Sequence, residues 1–279
     1  METRTRTDSR LVWWLTGLTP LIFVLTHYLA VLPHEFSHSV TAWTLGIKNE
    51  PGNIDWGGSS LWNITLLAHI DENVDYTAAL AAGKNTQVAV VAFAGLGIGN
   101  LLPYLLVRFG LVKRTWLARR PVVLYVLFWY FFSSLANLYD YVPMRNFAPD
   151  GDVTHFVLAS GMSRWWIFVV GTWGVIWAIT DLYRDILPYT LGTCRFEPER
   201  IARALVLVLT VGLMFAYFAL PALLETEPVT LFMGRFSLVL IPVILVATWR
   251  RNVLSPLPSP ALLPTANDRL SPVEARHRS

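Results

Sequence analysis

Residues 11–46 read LVWWLTGLTPLIFVLTHYLAVLPHEFSHSVTAWTLG, an apolar run of transmembrane character that carries His34-Glu35-Phe36-Ser37-His38 near its end. A helix brings positions i and i+4 onto one face, so the two imidazoles of an HExxH sequence can grip one Zn2+ with the glutamate beside it. The run covers about 54 Å if wholly helical, against a bilayer core of about 30 Å, so tilting or kinking is expected. Pro33, directly before the motif, is the expected site of distortion, and Gly46 the expected end of the helix. Zn2+ lowers the pKa of a bound water to about 7, and a carboxylate within reach can accept its proton as the water attacks a carbonyl. Metal-assisted hydrolysis in or at the edge of a membrane is the chemistry this stretch predicts.

The rest of the chain agrees with a membrane setting. Of 279 residues 54% are hydrophobic and only 15% charged, with a mean hydropathy of +0.47. Six segments meet the length and apolarity of a span: 11–33 running into the motif, 86–109, 121–138, 165–187, 201–224 and 230–249. Trp13, Trp14, Trp116, Trp165, Trp166 and Trp249 fall near span ends, where indole rings favour the interface. The fold class expected is all-α and polytopic. Residues 1–10 read as a cytoplasmic tail, 11–251 as one membrane domain, and 252–279, with its Pro-Ser-rich start, as a disordered cytoplasmic tail.

Basic residues orient the helices. Arg4, Arg6 and Arg10, the cluster from Arg108 to Arg120, the group Arg184, Arg195, Arg200 and Arg203, and the group following Trp249 alternate with connections poor in Lys and Arg. Lys48, Lys84, Arg145, Arg164 and Arg235 are the only exceptions among 22. Both termini are therefore expected in the cytoplasm, as in the plasma or inner membrane of a prokaryote. The first span reads as an uncleaved anchor, because its apolar run is too long for a signal peptide and leads straight into the motif. The net charge of +3 matches this topology and anionic lipid, and no basic face suits nucleic acid. Cys194 is the single cysteine and has no internal partner.

Between the first two spans, Leu61–Ile70 mixes β-branched, aromatic and polar residues, which fits a strand or short β-hairpin over the membrane surface, or an irregular loop. As an edge strand it would pair with an extended peptide. His69 in this loop reads as solvent-exposed. Gly95, Gly97 and Gly99 precede Asn100, but no βαβ unit surrounds them, so they predict close helix packing rather than phosphate binding. The Asn100 amide, at membrane depth, needs a partner and would suit a substrate backbone.

A catalytic zinc keeps three protein ligands and an open position. Glu197 and Glu199 belong to the cytoplasmic side, Glu225 and Glu227 to a short external turn, and Glu50 and Glu72 to the first external loop. The segment 137–152, NLYDYVPMRNFAPDGD, instead concentrates Asp140, Asp150 and Asp152 on the side of His38.

With HExxH in an early span and an Asn/Pro…Asp-Gly element after the third, the chain resembles the site-2 protease family of intramembrane metalloproteases. The resemblance covers mainly the first three spans and implies a zinc endopeptidase acting on a membrane-protein substrate within the bilayer. It puts His34 and His38 at the two imidazole ligand positions, Glu35 at the catalytic position, and Asp150 of Asp150-Gly151 at the third ligand, with Asp152 so close that either can serve. Asn146-Phe147-Ala148-Pro149 is a literal Asn-x-x-Pro that abuts Asp150 without the usual spacer; Asn137 and Pro143 form the other pair. Asn100, Asn137 and Arg145 are the candidates to hold substrate. Arg145 and His155 are also placed to meet a developing oxyanion. The competing expectation is a non-catalytic metal-binding or ion-transporting protein on the same helices, with His27 and Asp181 marking an ion path. A degenerate protease that only binds membrane partners is disfavoured by the intact motif.

Overall fold

The computed structural model describes residues 2–67 and 69–258, and the side chains of all of these except 2–8, 62 and 66. It is helical throughout: among the described residues there is no strand, and six helices are long and apolar enough to cross a membrane. The protein is an all-α, multi-pass membrane protein. Helix α1 spans Glu2–Thr44, and after it come two short surface helices, α2 (Leu61–Leu66) and α3 (Tyr76–Ala81). The second and third spans are α4 (Asn85–Leu111) and α5 (Pro121–Met144), followed by the short α6 (Asp152–Ser160). Helices α7 (Arg164–Thr193), α8 (Arg200–Leu224) and α9 (Pro228–Leu254) complete the bundle.

Burial orders the bundle. The most apolar stretch of α5 is 72% buried, against 22% for α7 and 17% for α9, so α5 is the central column and those two face lipid. Trp129, Phe128, Phe131 and Phe132 of α5 are fully buried. Phe23 of α1 stacks on His27 and meets Trp129, Phe132 and Phe218 edge-on, which joins α1, α5 and α8. Lipid tails are as apolar as these rings, so the association draws on close packing more than on exclusion of water.

Helix α1 continues through Pro20 and Pro33 and stops where Gly46, at φ +68°, turns the chain and Ile47 N donates to Ala42 O at 2.9 Å. The glycines of α4 do what their spacing suggests. A Cβ on Gly99 would lie 2.5 Å from Cα of His34, so only glycine lets α4 press against the α1 backbone at the motif. From Gly95 to Leu101 the helix also widens to π geometry, as does Asp140–Met144 at the end of α5. Both wide turns flank the HExxH face.

Two expectations about local structure fail. Leu61–Leu66 is a helical turn, not a strand: the Ser60 side chain accepts from Asn63 N at 3.1 Å and caps it. Asn63 then ties the loop, donating to Trp56 O and Gly58 O and accepting from His69 N. The only β pairing among the described residues is one antiparallel bridge, Asp55 with Asp71. The tail is not free from residue 252 either. Asn252 and Val253 are buried, Arg203 donates to the carbonyls of Asn252 and Ser255, and Leu257 N donates to Glu197. Residues 259–279 lie outside the described residues.

Candidate metal centre

Three elements meet at the motif. Helix α1 supplies His34 and His38 from one face, α4 lies behind them, and α6 brings Asp152 from across the bundle. Asp152 Oδ2 lies 2.9 Å from His34 Nε2 and 3.2 Å from His38 Nε2, and the two Nε2 atoms are 3.1 Å apart. All three residues are buried, His38 completely.

The protonation pattern follows from what the other ring nitrogens touch. His34 Nδ1 is 2.6 Å from Asn100 Oδ1, and the Asn100 amide nitrogen donates to Ala30 O at 3.0 Å, so the Asn100 oxygen accepts and His34 Nδ1 donates. His38 Nδ1 donates to the Val91 carbonyl at 2.6 Å. With a proton on each Nδ1, both neutral rings turn an Nε2 lone pair toward the carboxylate. Asp152 Oδ2, for its part, has no hydrogen-bond donor. Three buried acceptors converging on one point repel one another unless a cation sits between them. Zinc bonds of about 2.0–2.1 Å at tetrahedral angles put ligand atoms about 3.3 Å apart, and the observed separations of 2.9–3.2 Å come close to that. The surroundings leave room beside the two nitrogens as well: a Cβ on Gly95 would fall 2.1 Å from His38 Nε2 and 2.7 Å from His34 Nε2, so only glycine keeps that side of the imidazoles clear.

Gly151 decides which aspartate enters. Its φ of 103° and ψ of 177° belong to a region open essentially to glycine alone, and the turn it makes sends Asp152 inward at the start of α6 while Asp150 points out. The Asp150 side chain is 85% exposed and pairs with His155 at 3.1 Å. Asp150, the literal match to the Asp-Gly element, is therefore not in the cluster. The loop before it is stitched by Arg164, which donates to the carbonyls of Asn146 and Ala148, and by Thr154, which also bonds Ala148 O. Burial pushes the Asp152 carboxyl up; without a metal ion, protons on the two Nε2 atoms would play the ion's part, and it is their positive charge that outweighs burial and holds the carboxyl well below the usual carboxylate range.

Glu35, next to His34 in the chain, is buried and lines two cavities that meet at it. The first, of about 200 Å³, runs between α1, α8 and the 61–70 segment. The second, of about 530 Å³, is wetter and lined by carboxylates that include Asp71, Glu72 and Asp75.

The candidate substrate residues divide. Asn137 lines the first cavity, is 5% exposed, and its side-chain amide makes no hydrogen bond to a described residue. Asn100 is withdrawn from any substrate: its oxygen is occupied by His34 and its nitrogen by Ala30, so it orients the His34 ring instead. Arg145 lines both cavities but is paired bidentately with Asp140 at 2.9 and 2.7 Å and stacked 4.4 Å over Tyr141, whose ring in turn stacks on His34. The Asp140 charge outweighs the effect of burial and holds the Arg145 guanidinium firmly protonated. His155 is stacked 4.1 Å from Tyr76 rather than free. Of the residues expected to mark an ion path, Asp181 is clamped by Arg108 at 2.5 and 2.8 Å, and His27 meets the Tyr217 hydroxyl at 3.2 Å.

Glu72 was not anticipated. It is buried, lines the second cavity together with Glu35, and accepts from Tyr76 OH at 2.5 Å. Lys48 donates to its backbone carbonyl. Burial and the Glu72 charge both push the Tyr76 hydroxyl up, so it stays a neutral donor. The i, i+4 spacing of Glu72 and Tyr76 was the one local sign of this pair in the sequence. Comparison with protein-family models, with curated proteins and with solved structures found no match to this chain.

Proposed function

We propose that this protein is a zinc-dependent intramembrane endopeptidase of the site-2 protease type, which hydrolyses a peptide bond in or near a transmembrane segment of another membrane protein. The observation that carries the reading is the convergence of His34 Nε2, His38 Nε2 and Asp152 Oδ2 to within 3.2 Å of one another, next to a buried glutamate that opens onto two cavities. Three protein ligands with a further position open to water is the pattern of a catalytic rather than a structural zinc. When bound, the ion would supply a water acidified to about pKa 7 and a Lewis acid for the carbonyl.

The chain's own residues do the rest. Glu35 accepts the proton of the attacking water and returns it to the leaving amine. Glu72, held by Tyr76 and the Lys48 contact, fixes the position of the Glu35 carboxyl. Asn100 and the Val91 carbonyl lock the tautomers that leave both Nε2 atoms free to ligate. Asn137 offers its unoccupied amide to the substrate backbone. A helical substrate already satisfies its own backbone hydrogen bonds, so it must unwind locally before any of these groups can reach it. The distribution of Lys and Arg supports both termini on the cytoplasmic side, with the centre toward the opposite half of the bilayer.

The test is a comparison of purified wild type with Glu35→Gln, reconstituted with transmembrane peptides. Wild type should cut at a defined bond. The variant should bind zinc one to one and lose cleavage by at least about a hundredfold, since general base catalysis contributes roughly 10²–10⁴. Undiminished cleavage by a zinc-loaded variant would refute the role given to Glu35.

A further inference from the structure

We infer that the smaller cavity at Glu35 is a side-chain pocket that receives one apolar residue flanking the scissile bond and selects groups of leucine or phenylalanine size. The inference rests on the endopeptidase reading above and adds to it the class of bond that is cut.

The apolar part of its wall comes from three separate parts of the chain, Val31 of α1, Leu67 and Ile70 of the surface segment, and Phe218, Leu220 and Pro221 of α8, and polar groups that include His27, Asp140, Tyr141 and Arg145 line the remainder. Leu224, 68% exposed, sits at the mouth. At one end lie Glu35, His34 and the free amide of Asn137, the groups that act on the peptide bond. At the other end Tyr217 donates to Thr65 O at 2.5 Å and meets His27 Nδ1, so the polar atoms there are already satisfied. Arg145, which also borders the space, is neutralised by Asp140. A charged side chain entering here would lose most of its water and, Glu35 apart, would meet charges already paired with one another.

Size sets the selectivity. A cavity of 150 Å³ is enough to hold benzene, so about 200 Å³ takes one phenyl or isobutyl group. It cannot take a helix, which is about 10–12 Å across with its side chains. The substrate must therefore arrive extended, with one side chain seated and its backbone along Asn137 and Glu35.

The experiment uses the zinc-loaded full chain and a panel of transmembrane peptides. Once the cleaved bond is located by mass spectrometry, each of its two flanking residues is varied among Ala, Leu, Phe and Lys. At one of the two positions Leu and Phe should exceed Ala in kcat/KM by at least about tenfold, as expected when a hydrophobic pocket loses even one methylene, and Lys should be rejected. Val31→Phe and Leu220→Phe, which fill the space from opposite walls, should each reverse the order in favour of Ala. Binding of the Leu and Ala peptides to Glu35→Gln supplies a readout that needs no turnover and no second variant, and the Leu peptide should bind more tightly by a similar factor. Equal cleavage across both positions together with equal binding overturns the pocket while leaving the endopeptidase intact. Unchanged order in both filled variants, with zinc retained, also overturns it. No cleavage of any peptide by zinc-loaded wild type overturns the endopeptidase and the pocket with it.

Discussion

Replacing Gly95 by alanine tests the metal centre from the side that carries no ligand. The added Cβ would lie 2.1 Å from His38 Nε2 and 2.7 Å from His34 Nε2, more than an ångström inside van der Waals contact with the first. Neither ring can yield freely, because each is pinned at 2.6 Å through its Nδ1, one by the Val91 carbonyl and the other by Asn100. The methyl group would push on the two nitrogens that a zinc ion needs at about 2.0–2.1 Å and displace them from that geometry. Overpacking alone should cost about 1–3 kcal/mol of stability. The larger effect falls on the metal: zinc affinity should drop at least about a hundredfold, or about 2.7 kcal/mol. Gly97→Ala is the matched control, because its Cβ would meet only the ring of Phe93, which is 53% exposed and free to swing away. Zinc per chain, measured by mass spectrometry after dialysis against a competing chelator, is the assay. Full zinc occupancy in Gly95→Ala would refute the placement of the ion between the two imidazoles.

Other outcomes follow from the same geometry. Asp152→Ala should abolish zinc retention while Asp150→Ala keeps it, since Asp150 is 85% exposed; equal retention in both would remove Asp152 as third ligand. Asn100→Ala should lower zinc affinity about 10–100-fold through loss of the tautomer lock, and an unchanged zinc titration would show that the hydrogen bond to His34 does not matter. Gly151→Ala, forced to φ 103°, should cost about 1–3 kcal/mol in denaturant unfolding and weaken zinc binding as well; a wild-type midpoint would contradict the turn assigned to it. The Asp152 carboxyl is held well below the ordinary value near 3.9, so what it contributes is in place above that pH and lost only as pH falls through the depressed value. An acid titration followed by carboxylate infrared absorption should therefore find Asp152 still ionised at about pH 3.9, and protonation near that value would contradict this.

Much of this arrangement was legible in the chain because it is local. The spans are runs of apolar residues, and His34, Glu35 and His38 share a face through helical periodicity alone, so both could be read without knowing any tertiary contact. The third ligand could be narrowed to two aspartates two residues apart, and no further, because the choice depends on the backbone angles at Gly151. Asn100 was legible as an amide that needs a partner, but whether that partner is substrate or His34 depends on the register of α4 against α1, which no single segment encodes. Glu72 escaped for a related reason. Treating everything between spans as outside hides a loop that folds back, and here Ser39 bonding Pro51 O and Lys84 bonding Gly46 O bring the loop down onto α1. The strand expected at 61–70 rested on its β-branched and aromatic content, and the cap provided by Ser60 outweighed that content.

The ligand set has a consequence for how the molecule matures. Two donors emerge early in synthesis on α1 and the last one more than a hundred residues later on α6, about 6–23 s apart at ordinary elongation rates. Until α6 docks against α4, the nascent chain offers a histidine pair without the carboxylate, one protein ligand short of the three that a catalytic zinc keeps. On the function proposed above, hydrolytic competence would switch on only after the third span has been threaded and its following turn has closed, which would leave a half-inserted copy inert toward its neighbours in the bilayer.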